Sequence, residues 1–172
     1  MINNERILIL SPHTDDAELG CGASIVKFLK QKNEILWVVF STAEDSLPED
    51  MPKNILVEEF KSVYKSLGLK DENVNIHNFK VRHLPYYRQE VLEELYKIKK
   101  NFKPNLVIGP SLSDYHQDHK TVADEMIRAF KSDSSIITYE QPWNQINFKT
   151  QFFIKLTEDE IQSKINMLKR LR

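Results

Sequence analysis

The chain has 172 residues, 41% hydrophobic and 28% charged, with a formal net charge of -1. That length buries roughly two thirds of the unfolded surface in one core, so a single domain over 1–172 is expected. Lys and Arg are interspersed with Asp and Glu, which leaves no field to gather polyanions and argues against nucleic acid as a partner.

Taken in chain order, the apolar run Ile7, Leu8, Ile9 and Leu10 predicts a first strand. The spacing of Ile25, Val26, Phe28 and Leu29 predicts a helix over about 20–32. Residues 35–40 form a continuous β-rich apolar run, as expected of a strand covered on both faces. The segment 41–52, with Pro48, Pro52 and four acidic residues, reads as a mobile loop over the strand ends, bordering a pocket. A helix closed by Gly68 follows, then a strand near 74–79, a helix near 88–102 and a strand at 105–109. Val122, Met126, Ile127 and Phe130 predict a helix over 119–131, followed by a strand at 136–139 and a further one at 152–156. Ile161, Ile165, Leu168 and Leu171 predict a closing amphipathic helix packed on the fold.

Strands alternating with helices imply a Rossmann-like doubly wound, mostly parallel α/β sheet with helices on both faces. If the strand order is 3-2-1-4-5, strands 1 and 4 are neighbours, and ligands bind beyond their carboxyl ends. Cys21 is the only cysteine, so no intrachain disulfide framework exists and a reducing, cytoplasmic setting is expected. The apolar run after Met1–Arg6 is too short for a signal core. No segment approaches the ~20 apolar residues of a membrane span.

Two clusters stand at the predicted strand ends: His13-Thr14-Asp15-Asp16 after strand 1 and His116-Gln117-Asp118-His119 after strand 4. His13 and Asp16, three apart at the start of a helix, can point at one ion, and His119 can supply a third ligand. Two imidazoles and a carboxylate leave a coordination position open and suit zinc, with iron(II) also accepted. Asp15 is free of ligand duty and fits a general base. His116 can stabilise an oxyanion as imidazolium or protonate a leaving amine. Asp118 can orient a histidine from behind, or cap the helix that follows.

Pro12-His13-Thr14-Asp15-Asp16-Ala17-Glu18-Leu19-Gly20-Cys21-Gly22 together with His116-Gln117-Asp118-His119 resembles the PIG-L/LmbE family of zinc-dependent N-deacetylases. The segment Tyr139-Glu140-Gln141-Pro142-Trp143 also fits. The resemblance implies removal of an acetyl group from an N-acetylated amino sugar, such as a GlcNAc unit, or a glycoconjugate. It implies metal ligation by His13, Asp16 and His119, base catalysis by Asp15 and oxyanion stabilisation by His116. Thr14 stands where proline is usual, which alters loop stiffness rather than chemistry. No arginine stands at 54–59, where the family often binds sugar, and similar proteins usually continue past Arg172. Substrate identity and homo-oligomerisation are therefore left open, and part of the pocket wall is expected beyond this chain.

Other residues have simpler readings. Arg82, Tyr86 and Arg88 follow strand 3 and can line the site and hold a sugar, or form a surface loop. His77 reads as a packed residue, Asp114 as a turn residue and Glu18 as first-turn helix chemistry. Gly20 and Gly22 match a dinucleotide fingerprint only in part and instead let a helix approach the sheet. Two alternatives to a deacetylase remain: a sugar-binding protein on the same fold, and an HD-type metal phosphohydrolase, which would be all-helical.

Overall fold

A computed structural model describes residue 2 and residues 5–147 and 149–171; the chain end at Arg172 and most of the first four residues lie outside them. In order the elements are β1 (Arg6–Ser11), α1 (Asp16–Lys30), β2 (Glu34–Val39), α2 (Ile55–Ser66) and β3 (Val74–Ile76). There follow α3 (Arg88–Phe102), β4 (Leu106–Pro110), α4 (Gln117–Phe130), β5 (Ser135–Tyr139) and α5 (Glu158–Leu168).

The five strands form one parallel sheet in the order β3-β2-β1-β4-β5. The period of two along β1 divides the core. Ile7 and Ile9 pack with residues of α1, α2 and α5, whereas Leu8 and Leu10 pack with residues of α3 and α4. All four are fully buried, as a central parallel strand requires. Strand order reverses direction between β1 and β4, so a crevice opens beyond their carboxyl ends. The sheet ends the all-helical phosphohydrolase alternative.

Several expectations are corrected. The first helix begins at Asp16 and the fourth at Gln117, earlier than apolar spacing suggested, because their first turns carry polar site residues. The strand near 74–79 is only Val74–Ile76. Residues 152–156 form no strand. Phe152 and Phe153 are exposed, Ile154 packs on the core, and the Lys155 carbonyl accepts from Lys27 Nζ, so the segment crosses α1 instead of extending the sheet.

The inward face of α5 also differs from the pattern of isoleucines. Glu160 and Met167 are buried while Ile161 and Ile165 are 40% and 42% exposed. Thr157 and Glu160 make a reciprocal capping box, Glu160 pairs with Lys27, and Lys164 Nζ donates to Leu19 O near a kink at Cys21. These polar anchors set the rotation of α5.

The glycines have different neighbours. A Cβ on Gly20 would lie 2.3 Å from the Tyr139 ring, so Gly20 lets α1 approach the sheet. Gly22 faces Lys164 and Met167 of α5 instead. His77 is packed between Phe40 and Phe79, with ring centroids 5.8 Å from each.

Candidate active site

β1 delivers Ser11, Pro12 and the turn 13–15 to the crevice, and α1 starts at once. Asp15 occupies the N-cap position without making a side-chain capping bond. Asp16 stands in the first turn, where a carboxylate is favoured by the helix dipole, and its Oδ2 accepts the His13 backbone N–H over 2.7 Å. On the other side of the switch point, β4 leads into the turn 111–115 and then α4. His116 is the N-cap of α4: its Nδ1 accepts the Asp118 backbone N–H over 3.2 Å. Asp118 is therefore not the cap, and its carboxylate is available for other partners.

Three donors converge across the crevice. His13 Nδ1 lies 3.3 Å from His119 Nε2 and 3.2 Å from Asp16 Oδ2, and His119 Nε2 lies 3.2 Å from Asp16 Oδ1. Zinc bonds of about 2.0–2.1 Å at tetrahedral angles place neighbouring donors about 3.3 Å apart, which is the spacing of the two ring nitrogens and of each from its own Asp16 oxygen, Oδ2 for His13 and Oδ1 for His119. Ring nitrogens of His13, His116 and His119 also lie within 4.8 Å of one another. His116 Nδ1 serves as the helix cap, which leaves only its Nε2 for another partner.

Each imidazole of the triangle is held from behind by a carboxylate. His13 Nε2 is 3.0 Å from Asp118 Oδ2, and His119 Nδ1 is 2.8 Å from Asp114 Oδ2. Such outer partners fix the tautomer that leaves the other ring nitrogen free for a metal. Asp118, fully buried, also accepts the backbone N–H groups of Arg82 and Leu84 over 2.6 and 3.1 Å. Arg82 reaches this position with a left-handed φ of 66°, strain that the two bonds to one carboxylate offset.

The charge pattern follows from this packing. Burial lowers the His13 pKa, but bonds to Asp118 and Asp16 outweigh it and push it up to about 10. His119 is likewise opposed by burial and pushed up to about 9 by Asp114 and Asp16. Burial favours the protonated form of Asp16, yet the two histidines hold its carboxyl well below the usual carboxylate range. The carboxylates thus call for positive charge at this point, which protons or a divalent cation can supply. Asp15 moves the other way: burial, then the charge of Asp16, raise its carboxyl. Burial, with His119 and His13 beside it, lowers His116.

The residues after strand 3 divide. The Arg82 side chain is exposed and reaches the Asp45 carbonyl over 3.4 Å. There the loop after β2 borders a cleft of about 180 Å³ lined by Ser41, Asp45, Asn78 and Val81. Tyr86 is 80% exposed beside His83. The Arg88 guanidinium is engaged by the buried Glu125 of α4, which also accepts from Arg128, so it belongs to the α3–α4 seam instead of the crevice.

Two residues of the site were not foreseen from sequence. The sequence marks Asp114 as a turn residue, and its position two before His116 is the available signal of more. Gln141 follows β5; its Nε2 donates to Asp16 Oδ1 over 2.7 Å and to Asp16 O over 3.2 Å, and only strand order brings it there.

This parallel fold, with a histidine–carboxylate cluster at its switch point, goes with a family match that places the chain in a deacetylase-type hydrolase class. Residues 8–130 match the family model described as PIG-L, GlcNAc-PI de-N-acetylase, and the chain belongs to that family. It is 29% identical over 170 residues to the uncharacterized deacetylase YaiS of Escherichia coli (strain K12), covering 95% of this chain and 89% of that protein. The structure is similar to N,N'-diacetylchitobiose deacetylase from Pyrococcus horikoshii in complex with its inhibitor MPG. That match has a TM-score of 0.78 at 18% identity and covers 96% of this chain and 69% of that one. It is also similar to the zinc-inhibited form of teicoplanin deacetylase Orf2, with a TM-score of 0.76 at 16% identity, covering 96% and 83%. At these identities the structural likenesses establish the fold.

Proposed function

We propose that the chain is a metal-dependent hydrolase that removes an N-acetyl group from an amino sugar or glycoconjugate. The observation that carries this reading is the donor triangle of His13, Asp16 and His119, with Asp15 and His116 beside it. His13, Asp16 and His119 would hold a divalent cation, zinc or iron(II), which would supply Lewis acidity to a substrate carbonyl and to the attacking water.

In this proposal Asp15 takes a proton from water as it attacks the amide carbonyl, and burial, by raising its carboxyl, makes it a stronger base than an exposed aspartate. His116 acts as a neutral donor. Its Nδ1 accepts the Asp118 amide, so its proton sits on Nε2, and that N–H stabilises the negative charge growing on the carbonyl oxygen. Asp15 then passes its proton to the leaving nitrogen as the C–N bond breaks, giving acetate and a free amine.

Arg82, which reaches Asp45 at the cleft after β2, and the exposed Tyr86 are the proposed contacts for sugar hydroxyls. The relatives support the substrate class, since one is a diacetylchitobiose deacetylase. No helix among the described residues is long and apolar enough to cross a membrane. The proposed cytoplasmic location rests on the single unpaired cysteine.

The test is acetate release from N-acetylglucosamine and its glycosides by the purified chain, with and without chelator, alongside bound-metal analysis. Asp15→Ala is expected to lower turnover about 100-fold to 10,000-fold while keeping the metal. Chelator-insensitive turnover, or full activity in that variant, would reject the mechanism.

A further inference from the structure

We infer that Asp114 is a positioning residue that sets both histidines of α4 at once, a role that rests on the metal-dependent reading above. Its side chain is almost fully buried, and its two oxygens have separate partners. Oδ2 lies 2.8 Å from His119 Nδ1, and Oδ1 accepts the His116 backbone N–H over 2.8 Å. The Asp114 backbone N–H donates to Ser111 O, and Ser113 N–H donates to Ser111 Oγ, so the carboxylate stands on a hydrogen-bonded turn directly after β4.

Each arm has a consequence at the crevice. Holding the proton of His119 on Nδ1 leaves Nε2 with a lone pair where it meets His13 Nδ1 and Asp16 Oδ1. Holding the His116 amide fixes the turn in which His116 Nδ1 accepts from Asp118, which keeps the His116 proton on Nε2. A carboxylate has two acceptor oxygens and meets both N–H groups, whereas an asparagine offers one oxygen and must leave one N–H facing an amide donor. A residue that merely shaped the turn would need only the backbone arm.

The test uses the full chain with Asp114→Asn, which is nearly isosteric, and Asp114→Ala. Zinc affinity is read by competition with a chromophoric chelator, and the ring protons of His119 by NMR of the zinc-loaded protein labelled at histidine nitrogen. Zinc dissociation constants are expected to rise about 10-fold to 100-fold in both variants. The wild type should show a slowly exchanging Nδ1–H of His119 that both variants lose. Unchanged zinc affinity in folded Asp114→Asn, or retention of that proton signal, overturns the inference. Because neither readout uses turnover, zinc binding without acetate release would refute the deacetylase reading and leave this one standing.

Discussion

Gln141 Nε2 donates to Asp16 Oδ1 over 2.7 Å, joining residues 125 positions apart. The bond joins the segment after β5 to the first turn of α1, with β4 lying between β5 and β1 in the sheet. With the second bond to the Asp16 carbonyl, it holds that carboxylate in the plane facing His13 and His119. Gln141 is 2% exposed, which keeps bulk water from its Nε2, while its Oε1 accepts from Asn144 Nδ2 over 3.4 Å. Gln141→Leu keeps most of the volume and removes both bonds. Zinc affinity, measured by chelator competition, should fall about 10-fold, and no change would mean that Asp16 is oriented by its histidines alone.

Glu18 offers a pH test. It is fully buried in α1 with no hydrogen-bond partner at either oxygen among the described residues, and burial raises its carboxyl well above its ordinary value of 4.5. The folded state therefore holds a proton that the unfolded state releases. Stability is greatest below the ordinary value and falls by about 1.4 kcal/mol per pH unit from there up to the raised value. Glu18→Gln removes this slope. Thermal unfolding at about pH 5 and about pH 8 should show the variant gaining on the wild type as pH rises, and parallel curves would contradict a protonated Glu18.

Gly20 tests the packing of α1 on the sheet. Its missing Cβ would come within 2.3 Å of Tyr139 Cδ2, in a ring whose hydroxyl is bound to the Leu10 carbonyl over 3.0 Å. The ring cannot retreat without breaking that bond. Gly20→Ala should cost about 1–3 kcal/mol, lowering Tm by several degrees in calorimetry.

Arg88 separates a structural cation from a substrate contact. Its guanidinium meets Glu125, whose carboxylate is buried while the arginine is half exposed. Arg88→Ala leaves Glu125 with Arg128 alone and should cost about 1 kcal/mol after allowance for solvent screening. KM for an N-acetylated sugar should stay within about twofold of wild type. A large KM increase at unchanged Tm would return Arg88 to the substrate site.

Much of this was legible in the chain because period and composition are local properties. Residues 7–10 and 35–40 could only be strands covered on both faces, and the alternation with helices demanded a parallel sheet. Residues 152–156 were misread because an apolar run says nothing of which surface is available to it; α1 supplied one and the sheet edge did not. The α5 face was misread for a related reason. Glu160 and Lys164 look like solvent residues until Thr157, Lys27 and Leu19 O are brought beside them.

The sequence by itself determined the fold class and singled out His13, Asp15, Asp16, His116 and His119 as candidates, because side chains able to bind metals or carry protons announce that chemistry wherever they stand. Only the tertiary structure decided how those groups are held. Asp114, Asp118 and Gln141 act through hydrogen bonds that exist only once β1, β4 and β5 lie side by side, and a directional bond of about 3 Å is set by the packing of whole elements instead of by spacing along the chain.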